Sequence, residues 1–265
     1  MGVRELGRLV ECVHAPVYFA PEPQANYAAL GLRGYWRGYF ASRAAALGTA
    51  SADQVTELFG GFASSFVARA IPEVWTITTP EAVLDARIDG AVRALRRTIT
   101  DDVAAVAQLV TAAVDAADLT DRPLAAAHAA VPRPDEPLAL LWHGCTVLRE
   151  MRGDAHLQAL REFGLTWPQP HVLLATVGRV DGSQRDYRGW TEDEWRAAED
   201  ALRAAGRYRT DAGIALVEQV ETRTDELATA SFGFAPDEVE RSIRPIAAVA
   251  VELIPFPNAM GLPRS

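Results

Sequence analysis

Lysine is missing from this chain: all 26 basic residues are arginine. Without a side-chain primary amine there is no Schiff-base chemistry, no phosphate-loop lysine and no lysine general base. Cysteine is nearly as scarce. Cys12 and Cys145 are too few for a disulfide framework, and in a chain able to build its own core both are expected to be reduced. Long apolar runs are lacking as well, since stretches such as Ile246 to Val251 and Val172 to Ala175 fall far short of the roughly 20 residues of a membrane span. Glu5, Glu11 and His14 interrupt the opening residues, where a signal peptide needs a clean apolar segment. The expectation is a cytoplasmic protein with no membrane partner. No nucleophile elbow, glycine-rich phosphate loop or HExxH stretch occurs.

What remains is 265 residues, 49% hydrophobic, with a formal charge of -9, enough for one large or two ordinary domains. Apolar residues recur three and four apart almost everywhere and alanine is abundant, so the fold class reads as mainly α. From Asp101 to Asp118 an apolar stripe follows an acidic capping signal, and Thr210 to Leu227 begins with Thr-Asp and repeats the pattern. The proline-bearing stretches at 132–137 and 255–258 must be irregular. They divide the chain into an N-terminal half (1–131), a C-terminal half (138–254) and a tail (255–265). The halves echo one another: Tyr27 to Leu32 resembles Leu157 to Leu165, Thr79 to Leu84 resembles Thr210 to Ala215, and His14 and His143 fall at similar places in the first helix of each. Common order and spacing point to a duplication.

Leu165 to Leu174, then Trp190-Thr191-Glu192 opening a helix that ends at Gly206, then Thr210-Asp211-Ala212-Gly213, together resemble the second helix, recognition helix and post-wing threonine of MarR-type winged-helix regulators. The whole chain, including Val13 to Glu22, Arg152-Gly153-Asp154 and Pro255 to Asn258, is similar to a bacterial group of helix-turn-helix proteins. The resemblance implies a tandem degenerate winged-helix (MarR-like) pseudo-dimer in one chain, for which a monomer is expected. Its departures bear on function. Three residues, Arg207 to Arg209, leave no room for a two-stranded wing. The candidate recognition helix, Thr191 to Ala205, sets five acids against two arginines, a local charge of -3 where a reader of phosphate-lined grooves should be positive. DNA is therefore not the expected partner.

In such regulators the cavity between halves cradles small aromatic ligands, which makes a small organic molecule the expected partner here. His14, Tyr18, Tyr35, Trp36, Arg37, Tyr39, Trp142, Arg149 and Arg152 are the candidate ligand-binding residues. Aromatics crowd residues 18–40, although core packing is the competing reading. Arg33 and Arg37, four apart, are placed to clamp a carboxylate. His143, Glu150 and His156 are the candidate catalytic trio, if they converge for acid-base work. Gly153 reads as a helix break, with Asp154 capping the helix that follows. No metal site and no cofactor is expected: the histidine spacings fit no ligand set, and no haem or flavin attachment motif is present. The expected function is a small-molecule-binding protein that has lost DNA binding and that either holds or transforms its ligand. The alternatives are a ligand-responsive transcriptional regulator and a cofactor-independent or metal-assisted enzyme of specialised metabolism.

Overall fold

The computed structural model describes residues 2–180, 183–258, 260 and 262. Among them the chain forms helices and no strand. The N-terminal part carries α1 (Val3–His14), α2 (Pro16–Phe19), α3 (Pro21–Ala29), α4 (Tyr35–Ala44), α5 (Ala52–Phe59), α6 (Ser64–Val67), α7 (Val74–Ile77), α8 (Pro80–Leu95), α9 (Ala104–Ala116) and α10 (Pro123–Ala129). The C-terminal part carries α11 (Pro137–Glu162), α12 (Gln169–Thr176), α13 (Gln184–Tyr187), α14 (Glu192–Ala204), α15 (Asp211–Ala230) and α16 (Pro236–Ala250). No helix among the described residues is long and apolar enough to cross a membrane.

Local chemistry sets many of the helix starts. Thr79 and Thr210 accept from the backbone N–H three residues on, opening α8 and α15, and Thr191 with Glu194 forms a capping box at α14. Pro137 begins α11 at a position whose N–H has no partner to lose, while Glu136 accepts from the Leu138 and Ala139 amides. α11 is apolar on nearly every side from Leu138 to Leu148, which marks it for the centre of the molecule. It packs against α1, α8, α9, α10 and α15, and α1 in turn packs against α16. One core joins α1, α9, α11 and α16. A second lies among α3 to α8, and a third joins the C-terminal turns of α11 to α12, α14 and α15.

Two local expectations fail here. Gly153 does not break its helix, because α11 runs without interruption to Glu162. Packing against α10 and α15 holds the backbone through a residue that weakens an isolated helix. Asp154 consequently has no helix of its own to cap. Its Oδ2 accepts from the Leu124 and Ala125 amides, both at 3.0 Å, and so caps α10 across the interior.

Candidate ligand cavity

Between the N-terminal helices, α11 and the loops around α12 and α13 lies a cavity of about 740 Å3. Tyr18 and Phe19 reach it from α2, Tyr35, Trp36 and Tyr39 from α4, Phe59 from α5 and Phe62 from the turn that follows; Trp167 and Tyr187 close the far side. Five of these rings form a connected set: Tyr39 contacts Tyr18, Tyr35, Trp36 and Phe62 at centroid separations of 5.3, 6.1, 5.5 and 5.7 Å. Pro255, Pro257, Asn258 and Met260 of the tail also line it. Gly60 and Gly61 adopt positive φ of 58° and 73°, a region few other residues enter readily. A Cβ on either would strike Leu157 or His171 Nε2, each at 2.5 Å. The two chain segments that face one another here are tied by the Ala63 amide donating to the Arg188 carbonyl (2.9 Å) and by Trp190 Nε1 donating to the Gly61 carbonyl (2.8 Å).

Three arginines stand in the wall. Arg43 makes a bidentate pair with Glu150, 3.1 and 2.9 Å, and lies over the Phe59 ring. Arg149 donates to the same carboxylate at 2.7 Å and to Glu11 at 3.2 Å. Arg188 stacks over Phe62 at 4.5 Å and has no carboxylate partner among the described residues; burial, together with the charges of Arg43 and Arg149, depresses its pKa. Glu150 is fully buried. Burial alone would raise its pKa, but the charges of Arg149 and Arg43 win and hold it well below the ordinary range. It is therefore a fixed counter-ion, unsuited to carrying a proton near neutrality.

The residues singled out from sequence separate into distinct places. Tyr18, Tyr35, Trp36, Tyr39, Arg149 and His156 line the cavity. Arg37 points away and pairs with Glu73 at 2.8 Å, and Arg33 precedes α4, so the two do not form a clamp. Trp142 is buried behind the wall, stacked on His14 with its Nε1 donating to the His14 carbonyl. His14 is fully buried and meets the cavity only through the Tyr18 hydroxyl, 3.0 Å from its Nε2. Since Thr146 donates to the Trp142 carbonyl, its oxygen accepts from His14 Nδ1, leaving Nε2 to accept from Tyr18. Arg152 engages Glu221 and Asp225 in a neighbouring hollow. His143, Glu150 and His156 do not converge. His143 Nε2 lies 3.0 Å from the His128 carbonyl, Glu150 is held by its two arginines, and His156 Nδ1 meets Thr224 Oγ1 at 3.0 Å.

His156 is the member of that trio with chemistry open to the cavity. Thr224 gives its proton to the Val220 carbonyl, so it accepts from His156 Nδ1–H and leaves the Nε2 lone pair unspent. Burial lowers the pKa of this imidazole, despite the nearby Glu221 carboxylate, and keeps it neutral at pH 7. Arg43, Arg188, Trp167 and His171 are lining residues that sequence reasoning passed over. Arg43 alone left a signal, as a lone charge among Phe40, Ala41, Ala44 and Ala45.

A family model described as a helix-turn-helix family matches residues 3–255. The chain belongs to this helix-turn-helix family. Curated proteins and solved structures yield no match. In this helix-turn-helix protein α14 is acidic in its first turn, with Glu192, Asp193 and Glu194. Its two arginines are occupied within the helix, Arg196 by Glu192 and Arg203 by Glu199 and Asp200. Between α14 and α15, Arg203 and Arg209 flank the Tyr208 ring.

Proposed function

We propose that the protein binds a small planar organic molecule in the aromatic cavity and does not read DNA. The observation that carries this is the wall itself: nine aromatic side chains surround a cavity of about 740 Å3 in which Arg188 has no carboxylate partner among the described residues. A volume of that order suits a small-molecule ligand. The rings offer stacking faces, and the Arg188 guanidinium, whose Nε reaches Gln184 Oε1 at 3.5 Å, offers its terminal N–H groups as a forked donor for a carbonyl, phenolate or carboxylate oxygen. Loss of nucleic-acid recognition is supported by the acidic face of α14, its internally satisfied arginines and the six-residue, strand-free link, 205–210, where a wing would stand.

The site sits within a tandem MarR-like pseudo-dimer in this reading. Its support is reciprocity: the first helix of one half packs on the last long helix of the other, α1 on α16 and α11 on α9, as an isologous interface requires. α8 and α15, each opened by a threonine cap, occupy matching positions in the two halves.

Titration with 4-methylumbelliferone, followed by quenching of tryptophan emission from Trp36 and Trp167, tests the binding reading. The wild type is expected to quench saturably, and Arg188→Leu to weaken binding about tenfold, near 1.4 kcal/mol. The family description favours a second reading, a ligand-responsive regulator. Retention of duplex DNA with a negative dependence on log salt, altered by the bound ligand, would establish that reading in place of the first.

A further inference from the structure

Of the glycines inside helices, Gly7, Gly38, Gly90, Gly144 and Gly213 share one explanation. A neighbouring atom lies under 3 Å from where each would carry a Cβ, so packing demands them. Gly153 is different. It sits in the middle of α11, where glycine weakens a helix, and the nearest neighbours of a Cβ placed there, Glu150 Oε2 at 3.7 Å and Arg149 Nη1 at 3.8 Å, leave ordinary room for a methyl group. Packing does not account for it, but position does. Gly153 lies on the wall of the aromatic cavity and also on that of a second hollow of about 810 Å3, the two sharing Arg149, Gly153, His156 and Met260.

The second hollow has a different chemistry. Its arginines, Arg4, Arg8, Arg149, Arg152 and Arg179, each already sit on a carboxylate, so it lacks the unpaired charge that would call for an ionic guest. It does hold an unmet acceptor: Glu11 Oε1 is buried with no hydrogen-bond partner, while Oε2 of the same carboxylate is held by Arg149. Such an atom costs stability until a donor reaches it.

We infer that the ligand is an extended molecule, with a planar ring body in the aromatic cavity and a neutral, hydroxyl-bearing head that passes Gly153 into the second hollow and donates to Glu11. This rests on the binding reading above and specifies the class of molecule it concerns. Gly153 is then the throat between two compartments, where a methyl has room but a longer side chain would close the passage.

The test compares 4-methylumbelliferone, a ring without a head, with its β-glucoside, binding being followed by tryptophan quenching. The wild type is expected to bind the glucoside at least tenfold more tightly than the aglycone. Gly153→Leu, which fills the throat, should weaken the glucoside at least tenfold and leave the aglycone within twofold, whereas Gly153→Ala, whose methyl has room, keeps both. Circular dichroism and melting confirm that each variant is folded. Should the leucine variant fail to fold, Glu11→Met leaves the throat open, removes the acceptor and is expected to give the same selective loss. Equal loss of both probes, or no loss of the glucoside, overturns the two-compartment inference while leaving the binding reading intact. Absence of binding of either probe by the wild type overturns both.

Discussion

At the scale of single residues, the interior is organised by charges that have little freedom to change. Glu150 neutralises two guanidiniums from different helices, and removing one member of a buried set leaves the others uncompensated. Glu150→Gln is expected to cost about 3 kcal/mol or more, read as a lower urea midpoint. Asp154 behaves oppositely. Burial outweighs its two backbone hydrogen bonds and lifts its pKa to about 6. The folded chain then holds a proton that the unfolded chain releases between about pH 4 and pH 6, so this group's contribution to stability declines as pH rises through that window. Asp154→Asn keeps an acceptor for the Leu124 and Ala125 amides without the buried charge. Its stability relative to the wild type should improve by about 1 kcal/mol between pH 5 and pH 7, and an unchanged difference would show that the carboxylate stays ionised throughout.

Individual helices show where sequence is a sufficient guide and where it is not. The starts of α14 and α15 are legible because a threonine and the amides it caps lie three residues apart, and the expected ends at Gly206 and Thr210 agree with the structure. The apolar stripe of 101–118 is likewise recovered as α9. Gly153 and Asp154 show the converse. Read locally they form a break and a cap, but α11 is packed against α10 and α15, so its continuity is decided by neighbours distant along the chain. The cavity was legible in part for the same reason. The density of aromatics from Tyr18 to Phe40 is visible in one stretch of sequence. The placement of Arg188 depends on contacts from residues 61 and 63, which no spacing rule connects to α13.

For the molecule as a whole, the five histidines each add to its sensitivity to acid. His14, His128, His143, His156 and His171 all have depressed pKa values, burial being the first cause in each, and His128 is pushed down to about 3. Unfolded histidines take up protons below about pH 6.5, which the folded ones refuse. Stability is therefore fully present above that pH and is lost as pH falls, at roughly 1.4 kcal/mol per pH unit for each fully buried histidine, with Asp154 offsetting about one of them. Urea midpoints measured at pH 7.5, 6 and 5 should fall steadily; a flat series would contradict neutral burial of these rings. The pairing of α1 with α16 has a consequence of another kind. During synthesis the first helix leaves the ribosome long before its last neighbour is translated, at rates of about 5–20 residues per second. Until α16 is made, some tens of seconds at those rates, the residues of α1 that face it lie uncovered.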